Sequence, residues 1–61
     1  MEDLRYYETV AMCLGSAILD LEISKSHFKG ESLVAYCDFK IKNFKAALSV
    51  TKKKIEELKN D

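Results

Sequence analysis

The chain of 61 residues contains no proline and only two glycines, Gly15 and Gly30. Without proline to remove backbone donors, and with lysine, glutamate, leucine and alanine abundant, little interrupts helix and little favours sheet. Long apolar runs are missing as well. The longest uncharged stretch, Thr9 to Leu19, is far short of the roughly 18 to 20 apolar residues a membrane-spanning helix requires, so no membrane association is expected. The opening Met1-Glu2-Asp3 lacks the basic segment of a secretory signal, which makes the cytoplasm the expected compartment.

Several patterns that carry chemistry are also absent. The two cysteines, Cys13 and Cys37, form no CxxC pair and read as buried or half-buried free thiols. His27 is the single histidine and has no neighbouring set of ligands for a metal. It reads instead as a cation at the end of a helix, where the dipole favours positive charge. Asp20 and Glu22 point to different sides of a helix and make no acid/base pair. There is no glycine-rich phosphate loop and no nucleophile motif. The expectation is a protein that is not an enzyme and needs no cofactor.

What the chain does have is a repeating apolar pattern. Val34, Ile41, Leu48 and Ile55 recur every seven residues, interleaved with Cys37, Phe44, Thr51 and Leu58. This 3-4 spacing is the seam of a coiled-coil-like helix. An equivalent seam precedes it, with Leu4, Ala11 and Ile18 on one series and Tyr7, Leu14, Leu21 and Phe28 on the other. Asp3 is the expected N-cap of the first helix. Lys25, His27 and Lys29 before Gly30 make a typical C-terminal signal, with Gly30 as the residue that closes the helix. Ser32 is the expected cap of the second helix. The chain is thus read as one all-α helical-hairpin domain over residues 1–61, with helices at about 3–28 and 33–59 and a turn at about 29–32.

A connection this short between helices implies antiparallel neighbours. Pairing positions whose numbers sum to 62 gives the layers Phe28/Val34, Lys25/Cys37, Leu21/Ile41, Ile18/Phe44, Leu14/Leu48, Ala11/Thr51, Tyr7/Ile55 and Leu4/Leu58. Only the layer with Lys25 holds a charge, and it lies beside the turn, where a lysine reaches water. In this register Cys13 and Cys37 stand roughly 18 Å apart along the axis, beyond the about 7 Å Cα separation a disulfide tolerates. Charge supports the same pairing. Residues 1–31 hold three Lys/Arg against six Asp/Glu, and residues 32–61 hold seven Lys against four, giving net −3 and +3 within a neutral chain.

Two helices joined along one seam leave much of each uncovered, and so short a chain has little core to offset the cost of ordering it. Met12, Leu19 and Ile23, with Tyr6 and Cys13 beside them, lie off the first seam; Tyr36, Phe39, Ala46 and Val50 lie off the second. Such faces read as association surfaces. Gly15, in mid-helix, reads as a point of close approach. The expected state is a homodimer in which two hairpins form a four-helix bundle, with Met12, Leu19, Ile23, Tyr36, Phe39 and Val50 as the protein interface.

The expected function is that of a small protein-binding regulator or inhibitor, antitoxin-like or phage-encoded, whose partner the residues do not name. One alternative is an RNA- or DNA-binding bundle using the lysine-rich second helix, with Lys42, Lys45, Lys52 and Lys53 as candidate contacts. The lysines spread over several heptad positions and only one arginine is present, which weighs against it. In outline the chain resembles the small RNA-binding helical hairpins that dimerise into four-helix bundles and regulate plasmid copy number. The resemblance is one of shape, without shared motif residues, and it carries no site residue over. A further alternative is a structural subunit of a larger assembly.

Overall fold

The computed structural model describes residues 2–60 and consists of two helices packed side by side. Helix α1 runs Glu2–His27 and helix α2 runs Glu31–Lys59, so the fold is a helical hairpin. Its Cα extents are 47 × 14 × 11 Å and its radius of gyration is 14.2 Å, against about 10.5 Å for a compact chain of this length. The molecule is a rod one helix pair wide.

The second seam is buried or half-buried at every position from Val34 to Leu58. Cys37 is the most enclosed side chain at 2% exposure, and Ile18 and Ile41, at 8% each, form the middle of the contact. The register agrees with the paired layers near the turn: Lys25, expected opposite Cys37, places its Nζ 2.6 Å from Oδ1 of the adjacent Asp38. Thr51 occupies an apolar seam position because its hydroxyl is satisfied locally, donating to the Ala47 carbonyl at 2.8 Å. Thr9 and Ser26 make similar bonds to the carbonyls of Arg5 and Ile23.

The helix ends depart from expectation in four respects. Phe28 lies outside α1 and is 38% exposed. The chain leaves the helix after His27 in a tight turn, with the Phe28 N–H donating to the Lys25 carbonyl at 3.3 Å. Ser32 is not the cap of α2. Gly30 holds that place in extended conformation (φ −86°, ψ 134°), its carbonyl accepting the first helical bond from the Val34 N–H at 3.1 Å, with no side-chain capping bond. Gly30 consequently does not close α1 in the left-handed conformation, and no described residue has positive φ. Asp3 lies inside the first turn of α1 rather than before it, near the positive end of the dipole.

One correction and one observation concern α1 itself. Cys13 is exposed, whereas Cys37 is buried, and both are free. Around Gly15 there is open space: a Cβ built there meets no atom within 4 Å, so the hairpin does not require glycine for close packing. Because Gly15 has ordinary helical geometry, Gly15→Ala is expected to stabilise the fold by about 1 kcal/mol. Thr51→Val, which keeps the shape and removes a hydroxyl from the seam, should add about 0.5 to 1 kcal/mol. Urea unfolding followed by circular dichroism measures both; an unchanged midpoint for Gly15→Ala contradicts the open space, and a lower midpoint for Thr51→Val contradicts the local role of the hydroxyl.

Candidate functional site

The seam of each helix is flanked by two further heptad rows, and in an antiparallel pair like rows meet on the same side of the hairpin. On one side stand Glu8, Gly15 and Glu22 of α1 and Asp38, Lys45, Lys52 and Lys59 of α2. This side is charged and cross-linked. Lys25 pairs with Asp38 at 2.6 Å, and Lys45 Nζ approaches Glu22 Oε1 at 3.9 Å. Between these pairs lies an open groove of 540 Å³ lined by Glu22, Lys25, Ser26, Val34, Asp38, Ile41 and Lys45. Two carboxylates matched by two ammonium groups leave it with no net charge and no free acid/base pair. Surface pairs of this kind set register more than stability.

On the other side stand Asp3, Val10, Ala17 and Ser24 of α1 and Leu33, Lys40, Ala47 and Lys54 of α2. Val10, Ala17 and Ser24 are half-buried, so α1 presents a wider apolar stripe than its two seam series alone define. Flanking them further round are Tyr6 and Cys13 on α1 and Tyr36 and Val50 on α2, all exposed. The Lys40 ammonium lies 5.6 Å from the Tyr36 ring centre, a cation-π contact that holds both side chains along α2. Tyr6 is similarly held by the edge of Tyr7, with ring centres 5.2 Å apart.

All six residues read from the sequence as interface candidates are exposed, from Ile23 at 51% to Met12 at 74%. They do not form one surface. By the 3.6-residue repeat, Met12 and Leu19 lie round from the charged row, Tyr36 and Val50 round from the apolar row, and Ile23 and Phe39 along the backs of their helices. Leu33 and Phe28 are further exposed apolar residues outside these six. Leu33 is detectable in the sequence as the row neighbour of Lys40 and Ala47; Phe28 is hidden there by its apparent place in the seam.

The four candidate nucleic-acid lysines, Lys42, Lys45, Lys52 and Lys53, are exposed but divided. Lys45 and Lys52 share the charged row, where α1 opposes them with Glu8 and Glu22, while Lys42 and Lys53 lie further round α2. Among the described residues, no group of three His, Cys, Asp or Glu is arranged to hold a metal ion. Neither helix is long and apolar enough to cross a membrane. Comparison with known proteins gives no matching family model, no matching curated protein and no matching solved structure.

The electrostatic outlier is Lys25. Its hydrogen bond to Asp38 and the charge of that carboxylate hold the ammonium above its ordinary pKa against the opposing effect of burial, and Glu22 adds to the rise. A raised lysine pKa means the folded state binds this proton more tightly than the unfolded one. The contribution to stability is therefore complete below the ordinary lysine pKa and is lost as pH rises through the folded value. Titration followed by NMR at the lysine side chains should show Lys25 releasing its proton at higher pH in the wild type than in Asp38→Asn. Identical Lys25 curves in the two proteins contradict the pairing.

Proposed function

We propose that this chain is a small protein-binding module of the cytoplasm, without enzymatic activity, acting as a regulator or inhibitor of the antitoxin-like or phage-encoded kind. It associates with itself to complete a four-helix bundle and docks on another protein through apolar helix surface that remains. The observation that carries this reading is the imbalance of the hairpin. Among the described residues, nine large apolar side chains are exposed while only Ile18, Cys37 and Ile41 are buried apolar residues. Scattered exposed apolar residues are ordinary on a large protein, but here they outnumber the core.

The row of Lys45, Lys52 and Lys59 at seven-residue spacing favours a second reading, a nucleic-acid-binding bundle. It is the weaker of the two because Glu22 already faces Lys45 across the hairpin. Binding by that row would appear as retardation of RNA or DNA that weakens steeply with added salt, and no retardation at low salt removes the reading.

Affinity capture from cell extract tests the protein-binding reading, with wild type, Leu19→Asp and Phe39→Asp as baits. The wild type is expected to retain a defined partner that at least one aspartate variant loses, while all three keep the same helical content by circular dichroism. A single unchanged capture profile for all three baits counts against it, as does a wild type that is monomeric at micromolar concentration and retains nothing.

A further inference from the structure

Resting on the association reading above, we propose that a second copy of this chain seats on the apolar side of the hairpin, with α1 of each copy lying antiparallel along α2 of the other. The side carrying Met12 and Leu19 is then left for a different protein.

The argument begins with area. The hairpin exposes 4947 Å², roughly 900 Å² more than the about 4,000 Å² expected of a compact monomer of 7.0 kDa. A protein in a stable complex contributes about 800 Å² of its surface to a standard interface. Covering one broad side of the rod supplies an area of that order, and one side is better suited to it than the other. The side with Glu22, Lys25, Asp38 and Lys45 is occupied by ion pairs whose burial would strip both partners of water. The opposite side has Val10, Ala17 and Ala47 near its centre, with Tyr6, Tyr36 and Val50 at its flanks; its one ion pair, Lys54–Glu57, lies within α2 and does not cross between the helices, and Lys40 is drawn along α2 by Tyr36.

Charge selects the stacking. A two-fold axis parallel to the helices places α1 of one copy on α2 of the other; an axis across the helices places α1 on α1. The first sets the segment of net −3 against the segment of net +3 at every contact in the bundle, and the second sets like against like. In the first arrangement, the paired-layer register brings Asp20 close in height to Lys40 of the second copy. It also brings Cys13 to within about 1.5 Å in height of position 50 of the second copy. Within one chain, Cys13 and Val50 stand on the outer flanks of different helices, on far sides of the pair.

This geometry sets the experiment. Sedimentation equilibrium at micromolar concentration is expected to show a wild-type dimer. Tyr36→Asp and Val50→Asp should each weaken it by more than about tenfold in Kd, because each places a carboxylate in the apolar contact, whereas Leu19→Asp should leave Kd unchanged. All these positions are exposed in the hairpin, so circular dichroism should show unaltered helix. Full-length Val50→Cys, treated with a short thiol-to-thiol crosslinker, should give covalent dimers joined from Cys13 of one copy to the introduced thiol of the other, with buried Cys37 unreacted. Crosslinks from Cys13 to Cys13 in the wild type overturn the stacking. A dimer that survives both Tyr36→Asp and Val50→Asp overturns the choice of side while leaving protein association intact. A wild type that is monomeric overturns the self-association proposal, and one that also captures no partner removes the broader reading with it.

Discussion

The structure depends on a single contact, the antiparallel seam between α1 and α2. A helix packed against one neighbour buries one stripe, and a stripe of side chains is shielded from water only on the side facing that neighbour. The result is visible in the burial: seam residues are mostly half-covered, and full enclosure is confined to positions such as Cys37, Ile18 and Ile41 near the axis of contact. Net stability in so small a fold is a narrow difference between this burial and the cost of ordering the chain. Small local features therefore have visible weight. A threonine in the seam and a glycine in mid-helix each matter on the scale of the whole.

The same constraint explains why charge is segregated. A one-seam hairpin has many exposed positions and little core to specify which way the helices run against each other. Opposite net charge on the two helices adds a preference for their pairing, and the Lys25–Asp38 and Glu22–Lys45 contacts fix it on one side of the seam near the turn. These pairs are exposed, so their role is orientation more than energy. They place both ion pairs that cross between the helices on one side, while the other side is richer in apolar residues and has an ion pair only within α2, Lys54–Glu57, which gives the hairpin two unlike surfaces.

The two helices, their antiparallel pairing and the burial of the second seam were legible in the sequence, because heptad spacing is a direct record of which residues face a partner. Details set by the path of the backbone were not. Serine is a good N-cap by propensity, yet the three-residue connection Phe28–Gly30 begins α2 at Glu31 and gives the cap position to Gly30. Phe28 continues the apolar series on paper but falls one residue beyond α1, where the series no longer has a helix to follow. The exposed candidates were identifiable one by one as residues off the seam. Their division between two sides of the hairpin was not, since it depends on reading the flanking rows of both helices together.

That division bears on the two associations proposed above, one with a second copy and one with a different protein. If both its outer sides were equally apolar, self-association would have no preferred geometry and would compete with every other partner for the same residues. Here the ion pairs disfavour close stacking on one side, since burying them carries a desolvation cost, and the small residues Val10, Ala17 and Ala47 permit it on the other. Met12 and Leu19 lie at the margin of the charged side, where apolar surface is bordered by ionic groups. In the function proposed above, a surface of that composition would suit a partner with its own complementary charges, because the border that disfavours a second copy would lend specificity toward a different protein.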